Sequence, residues 1–141
     1  MLFRPLLLTI LLILHASSAS AELVVVVNAH SGVERLTRDE VVNIFMGRYR
    51  QLPSGIPALP IDQPLTQPAR ARFYRLLVDK DTSEINAYWS RLIFSGKTSP
   101  PRQAESVSEV LEWLAKQKGA IGYIERSQVT PQVKIVFDLG P

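Results

Sequence analysis

His30 followed directly by Ser31 is the pair in this sequence that most resembles a base beside a hydroxyl nucleophile. Acyl transfer needs the two to meet in space with a third group orienting the base, and sequence neighbours do not make that geometry. Within Asn28-Ala29-His30-Ser31-Gly32 the pair reads as a surface turn, and a hydrolase built on it ranks last among the functions considered. There is no Cys, which excludes thiolate nucleophiles, thiolate metal ligands and disulfides. The acidic residues also argue against metal. Calcium takes several oxygen ligands from one loop, whereas Asp39 with Glu40, and Glu105 with Glu109, fall at helix starts where carboxylates complement the helix dipole. The expectation is therefore no enzyme, no metal and no cofactor.

Arg70, Arg72 and Arg75 follow a helix start, where guanidinium groups and free N–H groups at Gln67 to Ala69 would together suit an anion. A solvated basic helix face explains the same spacing and is favoured by it. Tyr88 and Trp89 fall on an apolar stripe and read as core rather than as a ligand cage. Gly119 and Gly122 flank or interrupt an apolar run, and either permit backbone approach to a ligand or mark a helix stop and a tight packing contact.

These residues have to be positioned by elements that the pattern predicts in order. Glu22 to Asn28 is a β-branched run that is apolar on both faces, which predicts a buried strand. Thr37-Arg38-Asp39-Glu40 is a capping box opening a short helix that ends at Gly47. Ala58 to Ile61 is a second strand, and a helix begins near Pro68. Asp81 caps a third segment in which Ile85, Tyr88, Trp89, Leu92 and Ile93 share one face. Ser106-Val107-Ser108-Glu109 opens a last helix, which stops before Gly119, and Ala120 to Ile124 and Val133 to Phe137 close the chain as strands. The order is β-α-β-α-α-α-β-β, an α/β domain with helices covering a small sheet.

The 141 residues are 46% hydrophobic and 21% charged, with a formal charge of +3, a composition that excludes disordered and collagen-like chains. Arg4, the apolar run Leu6 to Leu14 and the small residues ending Ala19-Ser20-Ala21 predict a signal peptide over residues 1–21, leaving one domain over 22–141. The apolar run is too short for a membrane anchor, which needs about 20 residues, so no membrane insertion is expected after cleavage. A disulfide-free exported domain of this size points to a periplasmic location. No run of four basic residues occurs, and nucleic acid is not an expected partner.

The succession Leu36-Thr37-Arg38-Asp39-Glu40, Ile44-Phe45-Met46-Gly47, Phe73-Tyr74, Tyr88-Trp89-Ser90-Arg91, Phe94-Ser95-Gly96-Lys97, Pro100-Pro101 and Gly119-Ala120-Ile121-Gly122-Tyr123 resembles the phosphate-binding branch of the type 2 periplasmic solute-binding proteins, from about Val24 to Ile124. The resemblance implies a three-layer αβα sandwich equivalent to one lobe of that fold. It also implies an exported protein with phosphate or another small oxyanion as ligand, but not transport by itself; docking on a membrane transporter or sensor is a separate expectation, motivated by the missing second lobe. Where those proteins carry a Ser-Gly-Thr type loop, this chain has Thr66-Gln67-Pro68-Ala69, in which Pro deletes an N–H donor. The candidate ligand contacts are Ser31, Thr66, Gln67 and Arg70. The length matches a single lobe, which leaves three readings: a weak anion binder, a lobe completed by another protein or copy, or an interaction module that has lost its ligand.

Overall fold

A computed structural model describes residues 21–96 and 98–141; the predicted signal peptide lies outside the described residues. Five strands form one mixed sheet in the order β3-β2-β4-β1-β5, from β1 (Leu23–Asn28), β2 (Leu59–Asp62), β3 (Arg102–Gln103), β4 (Ala120–Glu125) and β5 (Val133–Gly140). β1 runs antiparallel to both β4 and β5, whereas β2 is parallel to β4 and to β3. All six residues of β1 are buried, as expected of a strand flanked on both sides.

Alternation along the strands divides the core in two. Val25 and Val27 with Ile121 and Tyr123 face one layer of helices, α1 (Arg38–Phe45), α2 (Pro68–Val78) and α3 (Thr82–Ser95). Val24, Val26 and Ile124 face α4 (Val107–Lys116), which contributes Val110 and Leu114. This is the expected αβα sandwich. Among the described residues, the buried members of both layers lie between Leu23 and Leu139.

The caps fall where the sequence places them. Thr37 Oγ1 accepts from Glu40 N at 3.2 Å while Glu40 Oε1 accepts from Thr37 N at 2.9 Å. Asp81 and Glu84 make the same reciprocal pair for α3, and Ser106 caps α4 through Glu109 N. α2 starts on Pro68 without a side-chain cap, and ends on Asp79 in the left-handed region at φ 53°.

Two elements differ from the expected order. β3, between α3 and α4, is only two residues long and pairs with Ile61 and Asp62; so short a strand carries no periodicity to read. A 3₁₀ turn, Arg126–Gln128, precedes β5, which extends three residues beyond Phe137 and carries register shifts against β1.

Gly119 and Gly122 are explained by packing. A Cβ on Gly119 would sit 2.1 Å from the Pro57 carbonyl oxygen, because the chain entering β4 lies against the chain entering β2 and Leu59 N donates to Gly119 O at 2.9 Å. Gly122 faces Leu114 and Val110 of α4.

Candidate functional site

The C-terminal end of β2 carries a buried carboxylate. Asp62 is 5% exposed and is surrounded by donors. Tyr74 Oη of α2 donates to its Oδ2 at 2.6 Å, Tyr123 Oη of β4 donates to its Oδ1, and Gln63 N donates to Oδ1 at 2.9 Å. Tyr123 is held in place by Phe73, whose ring stacks on it at 3.8 Å and 4°. Burial raises both phenols well above their usual pKa, and the charge of Asp62 and its hydrogen bonds add to the shift. Both phenols therefore remain donors at neutral pH, and the carboxylate is satisfied on both oxygens before any cation is counted.

Arg70, in the first turn of α2, is 6% exposed. Its Nε lies 3.4 Å from Asp62 Oδ2 and its guanidinium 5.3 Å from the centre of the Tyr74 ring. Nε and Nη1 are both buried with no hydrogen-bond partner among the described residues, as are Nε1 of Trp89 on α3 and Oε1 of Gln63. A buried unsatisfied polar group costs about 1–3 kcal/mol, more when charged. Arg70, Trp89 and Asp62 line one open cleft of about 530 Å³, together with Leu65, Ser90 and Gln103. Arg70 and Trp89 thus bring a cationic and a neutral donor, both without partners among the described residues, to the wall of this cleft.

Of the four expected contacts, Arg70 lines this cleft. Ser31 is 1% exposed at the end of β1, where its Oγ accepts from Val33 N at 3.2 Å. The turn that holds it joins β1 to α4, because Asn28 Nδ2 donates to the Leu114 and Ala115 carbonyls at the end of that helix and His30 N donates to Asn28 Oδ1. His30 itself is exposed. Thr66 is exposed in the turn before α2, and Gln67 is the half-buried N-cap. Of the three amides expected to meet an anion, Gln67 N donates to Pro64 O at 3.0 Å and Pro68 has no N–H, so only that of Ala69 remains.

The three arginines do not converge, so the expected basic face is corrected for its first member. Arg75 is exposed and pairs with Asp79 at 3.1 Å. Arg72 donates to the Ala21 carbonyl. Arg70 points the other way, into the stripe of Phe73, Tyr74 and Leu77, because Asp62 is there to receive it. Trp89 is core as expected and in addition borders the cleft, while Tyr88 Oη donates to Met46 O at 2.7 Å. The sequence reading missed Asp62, Tyr74 and Tyr123 as a cluster. The available signal was an aspartate closing an otherwise apolar strand.

Among the described residues no group of His, Asp and Glu is arranged to hold a metal ion, and no helix is long and apolar enough to cross a membrane.

Solved structures match this arrangement. An ABC-type phosphate transport receptor from Vibrio cholerae superposes with a TM-score of 0.65 at 18% identity, over 82% of this chain and 45% of its own. The fold is that of one phosphate-binding-protein lobe. A putative phosphate ABC transporter substrate-binding protein from Clostridium perfringens, solved with phosphate bound, matches this lobe at 0.63 and 15% identity, over 82% and 44% of the two chains. A possible phosphate binding protein from Planctomyces limnophilus matches at 0.60 and 15%, over 82% and 40%. The lobe spans less than half the length of each. No family model and no curated protein sequence matches the chain.

Proposed function

We propose that the chain is an exported periplasmic solute-binding-like protein that takes up phosphate or another small oxyanion in the cleft between Arg70 and Trp89, for transport or sensing. One observation carries this reading: Arg70 Nη1 is buried at the cleft and left without a partner among the described residues. Asp62 Oδ2 lies 3.4 Å from Nε as an ion-pair partner without a hydrogen bond, and its own oxygens are occupied by two phenols and an amide. The guanidinium therefore keeps both Nε and Nη1 without a hydrogen-bond partner among the described residues, which suits an oxyanion. The Trp89 indole supplies a second donor. The cleft is open, so the ligand stays partly hydrated and binding is weak. The apolar run and small residues before Glu22 support export.

The test is the melting temperature of the protein beginning at Glu22 with millimolar phosphate, against sulfate and chloride at matched ionic strength. Saturation at about 100 times the dissociation constant adds roughly 2.7 kcal/mol. A rise that Trp89→Phe reduces supports the reading; no rise with either oxyanion overturns it. The second reading, an interaction module for a membrane transporter or sensor with its ligand site lost, is supported by the two amides unavailable at the start of α2. It predicts no oxyanion effect.

A further inference from the structure

The buried polar groups on the wall of the Arg70 cleft are either donors or acceptors already taken. Arg70 Nε and Nη1 and Trp89 Nε1 have no partner among the described residues, and all three can only donate. Asp62 is the one acidic residue among those lining the cleft, and no histidine is among them. Its Oδ1 already accepts from Tyr123 Oη and from Gln63 N at 2.9 Å, while its Oδ2 accepts from Tyr74 Oη at 2.6 Å and faces Arg70 Nε at 3.4 Å. Both tyrosines are fully buried, so a ligand that displaced either phenol from Asp62 would leave it without an acceptor. Gln63 Oε1 is the one buried side-chain acceptor left without a partner among the described residues. Gln63, however, is not among the residues lining the cleft, and its Nε2 is committed to the Tyr123 carbonyl at 2.8 Å.

The other polar side chains of the wall are neutral and exposed. Ser90 Oγ donates to the Asn86 carbonyl at 2.9 Å, and Gln103 Nε2 donates to the Gln63 carbonyl at 3.4 Å. An exposed hydroxyl or amide turns to offer whichever role a ligand needs, so it selects for neither.

This division of roles separates one oxyanion from another. Sulfate presents an acceptor on every oxygen, whereas inorganic phosphate near neutral pH carries at least one P–OH, a donor that needs an acceptor or water. Resting on the reading of this cleft as an oxyanion site, we propose that it selects fully ionised oxyanions of the sulfate type and has no preference for phosphate. Doubly charged phosphate fits by turning its single P–OH to the open mouth. Singly charged phosphate has a second P–OH, which must then face groups that also donate, and it is disfavoured.

The experiment follows the Trp89 indole N–H by nuclear magnetic resonance in the protein beginning at Glu22, as sulfate or inorganic phosphate is added at constant ionic strength set with chloride. Trp113 supplies the second indole signal and the control, and Trp113→Phe assigns the two. The titrations are run at about pH 6 and about pH 8, across which phosphate takes its second charge. A saturable shift of the Trp89 signal alone is expected, with sulfate bound at least as tightly as phosphate at both pH values. Phosphate should approach sulfate at the higher pH and fall about tenfold behind it at the lower, the effect of one unpaired donor. Ser90→Asp puts a fixed acceptor on the exposed wall and should raise the ratio of phosphate to sulfate affinity about tenfold, with an unchanged melting temperature. Phosphate bound more tightly than sulfate by the wild type, or an unchanged ratio in Ser90→Asp, overturns this selectivity and leaves the oxyanion site standing. No saturable shift with either ion overturns both.

Discussion

Arg70 Nε lies 3.4 Å from Asp62 Oδ2 inside the layer formed by α2, with both side chains 7% exposed, and the pair is what places a guanidinium at the end of a strand rather than in solvent. A pair this buried is costly to assemble and more costly to break, since either partner alone is an uncompensated buried charge.

Arg70→Leu should therefore destabilise the protein by about 3–5 kcal/mol in chemical denaturation. Asp62→Asn with Arg70→Leu should recover part of that loss, giving a coupling energy that a double-mutant cycle measures. Additive losses would mean that the two side chains do not interact.

The two phenols on Asp62 are each hydrogen bonds to a charged group, so Tyr74→Phe or Tyr123→Phe should each cost about 1.5–3 kcal/mol. Their pH signature has a fixed sign. The folded-state pKa of each phenol is raised above the unfolded value near 10. The corresponding stability is then present in full below about pH 10 and is lost as pH rises from there through the folded pKa. Stability curves of the wild type should fall more steeply on the alkaline side than those of the double Phe variant. Parallel curves would contradict the burial of these hydroxyls.

Gly119→Ala places a methyl group where the Pro57 carbonyl oxygen lies 2.1 Å away. Backbone cannot yield as a flexible side chain would, so a loss of about 1–3 kcal/mol or more is expected. Gly55→Ala is the comparison, since a Cβ there meets nothing within 4 Å and only its φ of 90° opposes the change. A measured cost for Gly119→Ala near zero would remove the close approach of β2 and β4 entries.

Trp89→Ala should cost about 3–5 kcal/mol through loss of packing. Trp89→Phe keeps most of the apolar area and removes a buried donor that has no partner among the described residues. Its stability should change far less, and any loss of oxyanion affinity then belongs to the indole N–H. Equal destabilisation by both variants would mean that the ring is held by its size alone.

The sequence by itself determined most of the elements. A run such as Leu23 to Asn28 has a single solution as a strand covered on both faces, and the capping boxes at Thr37 and Asp81 are local devices whose partners lie three residues away. Helix content, strand positions and the two-sided sheet follow from period and caps, which are short-range. Tertiary structure alone decided which way Arg70 faces. On α2 it belongs to a stripe with Phe73, Tyr74 and Leu77, and the stripe tolerates a charge only because Asp62, eight residues earlier on β2, and Tyr123, on a strand near the end of the chain, arrive at the same point. The same holds for β3, whose two residues are a strand only because β2 offers them Ile61 and Asp62. Burial of a charge, and pairing between distant strands, depend on what else is brought to the same place, and no local pattern records that.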